Sequence, residues 1–117
     1  MNEVYYTHAF WKVKTDKTEE FIAAWKSLGE TFLETGGTSH GTLIQSLSDP
    51  THFYSFGPWN SLEDMQAMRA DARSQEAIQR VRELCDEATP GGYRLVAEMR
   101  ADEWPRAQER GLWIQEK

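Results

Sequence analysis

One histidine and one arginine are the side chains of this sequence best suited to proton transfer and charge stabilisation. His8 lies midway along an aromatic segment, and a neutral imidazole, whose ordinary pKa lies near working pH, can remove a phenolic proton. Arg69, on a predicted helix, can stabilise the negative charge of an oxyanion or enolate, as can Arg73. We therefore predict His8 and Arg69 as catalytic residues. The alternatives are a hydrogen-bonded histidine in the core or an interface, and solvated arginines.

Aromatic side chains are the best candidates for a ligand site, since five Trp, five Phe and four Tyr occur in 117 residues. Ring faces stack on planar ligands, and a tyrosine hydroxyl can hydrogen-bond a substrate oxygen. We predict that the substrate is bound by Trp59, Tyr54, Tyr93 and the adaptable side chain of Met65. For each of these residues, packing in the core is the alternative.

Metal and covalent chemistry find little support in the sequence. The three histidines, at positions 8, 40 and 52, share no metal-ligand spacing, and Cys85 is the single cysteine. An intrachain disulfide is therefore excluded, and Cys85 is interpreted as a small hydrophobe. The sequence has no Ser-His-Asp order, glycine-rich phosphate loop or C-x-x-C motif. We expect no metal and no bound cofactor.

Hydrophobic periodicity predicts the elements that must position these residues. The first elements are a strand over 3–13 and a helix between a capping box (Asp16, Glu19) and Gly36. Strands over 41–48 and 52–56 follow, joined by a turn at 49–51. A helical region capped by Asn60 or Ser61 and interrupted at 71–74 comes next, and a loop at 89–92 leads to a last strand over 93–99. Gly57-Pro58 is expected to end the third element of the sheet.

This order, β-α-β-β-α-β, predicts an α+β fold of the split β-α-β (ferredoxin-like) type, a four-stranded antiparallel sheet with both helices on one face. The segment 3–13 is apolar or aromatic on both of its alternating faces, so both faces should be covered. A second copy packed on the free face would cover it, whereas the alternative is a monomer with an aromatic face. Residues 1–100 form one domain, and the tail 101–117, with Trp104 and Trp113, should pack on the domain or on its partner.

Composition excludes several classes of partner. The formal charge is −6, so a nucleic-acid or anionic-membrane surface, which needs clustered Lys and Arg, is not expected. No signal peptide and no run of about 20 apolar residues is present. We therefore expect a cytoplasmic protein that pairs with itself and binds a small aromatic molecule, with no nucleic acid and no membrane.

The segment 43–64 carries a resemblance to a known family. It reads LIQSLSDPTHFYSF before WNSLED, and resembles the block s-x-D-P-x-x-f…W-x-S-x-e of the antibiotic biosynthesis monooxygenase family, within the dimeric α/β-barrel superfamily. The segment 15–21, TDKTEEF, looks like that family's p-g-k-x-e-e-F. The resemblance covers about residues 4–100 and implies a dimeric α/β barrel with a pocket between sheet and helices, lined by the motif tryptophan, Trp59.

The resemblance leaves the reaction open, because such proteins include cofactor-free oxygenases of polycyclic phenols or quinols, haem-degrading enzymes, isomerases and proteins without known activity. The haem-degrading branch uses an Asn on the first strand and a His on the second helix. Here His8 and Ala9 occupy the first-strand region and the helix has no histidine, so haem degradation is not expected. Two functions remain: a cofactor-independent monooxygenase acting on a small aromatic or polycyclic phenol, or a non-catalytic dimer that binds an aromatic metabolite.

Overall fold

The computed structural model describes residues 3–101, which fold around one antiparallel sheet. The elements are β1 (Tyr5–Val13), α1 (Thr18–Thr35), β2 (Thr42–Gln45), β3 (His52–Trp59), α2 (Leu62–Ala70), α3 (Ala72–Arg82) and β4 (Cys85–Arg94). The strand order is β2-β3-β1-β4 and every neighbouring pair is antiparallel. The predicted ferredoxin-like α+β fold is confirmed, with the second helical region divided into α2 and α3.

The core lies between the helices and one face of the sheet, which we call the helix face. In β1 this face carries Ala9, Trp11 and Val13, all buried, because alternate residues of a strand point the same way. Phe21 of α1 and Val81 of α3 are fully buried against it. Tyr5 and Thr7 lie on the helix face as well, whereas Tyr6, His8, Phe10 and Lys12 lie on the opposite face, which we call the outer face.

Local signals explain where most helices begin. The Ser61 side chain accepts a hydrogen bond from the Asp64 backbone N–H at 3.0 Å, so the predicted cap of α2 is confirmed. Asp71 separates α2 from α3 and accepts hydrogen bonds from the Arg73 backbone and the Ser74 hydroxyl. The predicted capping box of α1 is wrong: Lys17 is the N-cap and makes no side-chain cap.

The hairpin between β2 and β3 is confirmed. Asp49 Oδ1 accepts hydrogen bonds from both the backbone N–H and the hydroxyl of Thr51, at 3.0 and 2.7 Å. These bonds, the hydroxyl first, lower the pKa of the Asp49 carboxyl, because they stabilise its charged form. The turn is therefore closed by its own side chains, as its composition indicates.

Several predicted boundaries in the sheet are wrong, and the second strand ends at Gln45 instead of residue 48. β3 does not stop at Gly57-Pro58 but continues to Trp59, and the last strand is residues 85–94 instead of 93–99. Proline is tolerated in both places because it lacks only an N–H. Pro58 lies beyond the end of the β2 pairing, and Pro90 lies on the edge strand β4.

Two other predictions concern the membrane and the C-terminal tail. Among residues 3–101, none of the helices has the length and hydropathy needed to traverse a bilayer. The predicted packing of the tail concerns residues that, from 102 onward, lie outside the described residues. That prediction stays open.

Truncating the most deeply packed helix residue should test this core. Phe21→Ala should lower the free energy of unfolding by about 3–5 kcal/mol, because the ring is fully buried against Trp11 and Phe53 and leaves a cavity. Urea denaturation measures this change. Leu33→Ala, on the same helix but 51% exposed, is the matched control and should change stability by no more than about 0.5 kcal/mol. Equal effects of the two substitutions would contradict the assignment of the core.

Candidate functional site

A cavity of about 710 Å³ lies between the helix face of the sheet and the helices, within the size range of small-molecule sites. Its floor is formed where the strand register places small residues side by side. Thr7 of β1 pairs with Gly57 of β3 and Gly92 of β4. The next row on the same face joins Ala9 to Ser55 and Pro90. Two adjacent rows of small side chains leave the space that the helices do not fill.

Bulky rows close the floor at both ends. At one end Trp11 pairs with Phe53 and Ala88, and at the other Tyr5 pairs with Trp59 and Arg94. The walls come from the helices, with Trp25 and Phe32 of α1, Met68 of α2 and Ile78 of α3. The result is a mainly apolar chamber between aromatic ends, whose ring faces can stack on a planar ring system.

Trp59 is fixed in the wall of this cavity. It is 2% exposed, its indole Nε1 donates a hydrogen bond to Thr7 Oγ1 at 3.1 Å, and its ring contacts Phe32 with centroids 5.5 Å apart. Both the polar atom and the ring are thus held in place. Trp59 borders the cavity as the family resemblance implies, while its contact with a substrate stays a prediction.

Arg69 reaches the floor of the cavity over a glycine. A Cβ atom added to Gly92 would lie 3.0 Å from Arg69 Nη2 and 3.1 Å from Met65 Cε. The guanidinium and the thioether therefore occupy space that a side chain on β4 would fill. Within residues 3–101 the Arg69 guanidinium forms no hydrogen bond or ion pair. It is a cation available to a ligand oxygen.

The other predicted site residues lie on the outer face. The His8 ring contacts Tyr54 at 6.0 Å and Tyr93 at 5.7 Å between centroids. These three residues form one group, whereas Trp59, Met65 and Arg69 form another on the helix side. The sheet separates the two groups, because Thr7 and His8 are neighbours in the sequence and point to opposite faces. Their roles in binding or catalysis stay predictions.

Several cavity residues carried no functional assignment in the sequence. Trp25 and Phe32 read as core positions of an amphipathic helix, and no motif includes Arg82, yet all three border the cavity. A signal for Arg82 exists, since it follows the cavity residue Ile78 by one helical turn. Arg73, the alternative to Arg69, instead pairs with Glu34 at 3.6 Å and Asp71 at 3.7 Å.

Nucleophilic and metal chemistry gain no support from the described residues. Burial raises the pKa of the Cys85 thiol to about 11, so the reactive thiolate is disfavoured. No group of three or more His, Cys, Asp or Glu among residues 3–101 is arranged to hold a metal ion.

Comparison with known proteins gives a family match and a set of similar structures. A family model described as antibiotic biosynthesis monooxygenase matches residues 4–89, well over half of the chain. No curated protein sequence is significantly similar to the chain.

Solved structures share the fold at low identity. A conserved protein from Methanosarcina mazei Go1 superposes with a TM-score of 0.72 at 23% identity, covering 80% of this chain and 94% of that one. For a candidate antibiotic biosynthesis monooxygenase from Nitrosomonas europaea, the TM-score is 0.68 and the identity 26%, over 83% and 92% of the chains. SnoaB, a cofactor-independent oxygenase from Streptomyces nogalater, gives 0.69 at 16% identity, over 86% and 98%.

The hydrogen bond beneath the cavity floor can be tested by substitution. The buried indole Nε1 of Trp11 donates to Ser55 Oγ at 2.9 Å. Ser55→Ala should lower the free energy of unfolding by about 1–3 kcal/mol, because it leaves a buried donor without its partner. Chemical denaturation measures the change, with exposed Ser27→Ala on α1 as control. A Ser55→Ala protein as stable as the Ser27→Ala protein would contradict this account.

Proposed function

Since the chain belongs to the antibiotic biosynthesis monooxygenase family, we propose that it is a cofactor-independent monooxygenase that oxidises a planar phenol or quinol held in the cavity. One observation carries the proposal: the Arg69 guanidinium, which forms no ion pair or hydrogen bond within residues 3–101, lies over Gly92 at the edge of an aromatic cavity that Trp59 also borders. A flat ring and an anionic oxygen can be bound there together.

The chamber supplies two effects that a phenol oxidation needs. The positive charge of Arg69 favours the phenolate over the phenol, because an adjacent opposite charge stabilises the ionised form. The phenolate is electron-rich and can transfer electrons to dioxygen. The aromatic walls orient the ring and restrict water, which would otherwise compete for the guanidinium and weaken its interaction with the oxyanion.

The reaction balances with dioxygen as the oxidant. A ring C–H para to the phenolic oxygen becomes C=O and the phenolic C–O becomes the second C=O, giving a quinone. One oxygen atom of dioxygen enters the product, and the other leaves as water with the C–H and O–H hydrogens. Conversion of the phenol to the quinone releases four electrons, two at each oxidised position. Dioxygen takes up all four, so no further reductant is required.

The structure changes the part we propose for His8. A ligand in contact with Trp59 and Arg69 is separated by the sheet from the His8 ring, which lies among tyrosines on the outer face. In our proposal the phenolic proton therefore leaves to water at the cavity mouth. The position of His8 is also the observation that favours the second candidate, a non-catalytic binding protein of the same fold.

We further propose that a second copy of the chain covers the outer face. This face carries Tyr6, His8, Phe10, Tyr54, Phe56 and Tyr93, and several of its apolar residues are open to solvent: Ile44 is 48% exposed, Phe56 36% and Tyr93 55%. An aromatic face of this extent favours an interface. Sheet-to-sheet packing about a two-fold axis would bury the same residues on both chains.

The proposed dimer can be tested by introducing negative charges into the outer face. Ile44→Glu and Phe56→Glu together should convert a dimer to a monomer in analytical ultracentrifugation, because two buried carboxylates would face their copies without partners. Leu62→Glu, 38% exposed at the start of α2, is the control and should leave the dimer intact. A wild-type protein that sediments as a folded monomer at micromolar concentration would contradict the proposal.

Oxygen uptake tests the monooxygenase. Purified protein, supplied with a panel of naphthols and anthrones, should consume oxygen above the rate of spontaneous oxidation. Arg69→Gln should lower kcat/KM by about a hundredfold, because it removes the charge that stabilises the oxyanion. Trp59→Phe should also lower it, by losing ring area and the bond to Thr7. Arg80→Gln, an exposed arginine paired with Glu76, is the control and should have no effect.

The outcomes separate the two candidate functions. Substrate-dependent uptake that Arg69→Gln reduces supports the monooxygenase. Binding of these ring systems without oxygen uptake, measured by tryptophan fluorescence, supports the non-catalytic protein instead. Uptake unchanged in both variants would contradict the assignment of the site.

A further inference from the structure

The wall of the cavity has a charge opposite to that of the chain. The whole sequence has 13 Lys and Arg against 19 Asp and Glu. The charged residues that border the cavity are instead Lys26, Arg69 and Arg82 with Glu30 as the single carboxylate. Although the chain has an acidic excess, cations therefore outnumber carboxylates around this apolar cavity.

Within residues 3–101, the cations at the cavity also lack the ion pairs that three other basic residues form. Lys17, Arg73 and Arg80 form ion pairs with nearby carboxylates. Among the described residues, the charged groups of Lys26, Arg69 and Arg82 form no ion pair and no hydrogen bond. In the same part of the chain, Lys12, Lys14 and Arg94 have no ion pair either, but they do not border the cavity. The cations at the cavity are therefore available to a ligand.

The number of uncompensated charges sets the charge of the ligand. Lys26 and Glu30 lie one turn apart on α1 and offset one another in net charge. Arg69 and Arg82 remain, from the last turns of α2 and α3. If Arg69 stabilises the phenolate of the proposed reaction, Arg82 is left for one further negative group. Its planar guanidinium matches a carboxylate through two parallel hydrogen bonds.

We propose that the ligand of this cavity is an aromatic acid, a planar phenol that carries a carboxylate as a second anionic group. This inference rests on the proposed function, since it names the substrate class of the same site. The ring occupies the space above the glycine floor. Arg69 binds the phenolic oxygen and Arg82 the carboxylate.

A matched pair of ligands tests the contribution of the carboxylate charge to binding, without requiring turnover. 5-Hydroxy-2-naphthoate and 5-hydroxy-2-naphthamide have nearly the same shape and differ in the charge of one group, and both keep a C–H para to the hydroxyl, as the proposed oxidation requires. Isothermal titration calorimetry under nitrogen, at low ionic strength, should show the acid binding about tenfold more tightly than the amide, the size expected of one charge-assisted contact. Added salt should reduce the preference, since screening weakens partly exposed charges.

Single arginine substitutions identify the residue that causes the preference for the acid. Arg82→Gln should bring the affinity of the acid down to that of the amide and leave the amide unchanged. Arg80→Gln, on the same helix and two residues away, should retain the full preference. Circular dichroism of each variant confirms that it is folded, and the amide affinity serves as an internal measure of an intact cavity.

The results distinguish this inference from the proposed function. Acid and amide bound equally by the wild-type protein, or a preference that Arg82→Gln leaves intact, would overturn the aromatic-acid inference while the aromatic cavity stands. A preferred acid that consumes no oxygen under air supports the inference and removes the monooxygenase. Failure of both ligands to bind would overturn both.

Discussion

The pairing register of three strands is the constraint on which the rest of this structure depends. It places Thr7 between Gly57 and Gly92, and Ala9 between Ser55 and Pro90. Because side chains alternate between faces with a period of two, a slip of one residue would exchange the small floor for the aromatic outer face. The register is held by the bulky rows at the ends, where Trp11 and Trp59 also hydrogen-bond across β1 and β3.

The same alternation gives the sheet two different surfaces from one set of strands. On the helix side, small residues and helix aromatics enclose the cavity. On the outer side, ring contacts join β1 to both neighbouring strands, with His8 between Tyr54 and Tyr93. The two proposals for this protein, a ligand inside the cavity and a second copy outside, therefore use opposite faces and can be tested independently.

Backbone approach and charge complete the site. Gly57 allows the His40 carbonyl to lie 2.6 Å from where a Cβ would be, so the segment before β2 forms part of the cavity wall. Gly92 gives the same freedom to the Arg69 guanidinium. The helices bring arginines to the cavity in their last turns, where a positive side chain also interacts favourably with the helix dipole. The glycines of the cavity floor and the arginines at the cavity therefore come from different elements, which only the fold brings together.

Local sequence patterns predicted the element order, the ferredoxin-like fold and the cap at Ser61, because hydrophobic period, capping and turn chemistry are local properties. The family resemblance indicated the motif tryptophan, Trp59. Local patterns also predicted breaks at Gly57-Pro58 and at 89–92, where glycine and proline usually end strands. In the folded protein these residues lie within strands, and Gly57, Pro90 and Gly92 form part of the cavity floor, because their positions depend on their partners in β1. The folded structure was also needed to show that Arg69 and His8 lie on opposite sides of the sheet. The face on which a residue lies follows from the strand register, and the register cannot be read from a local pattern.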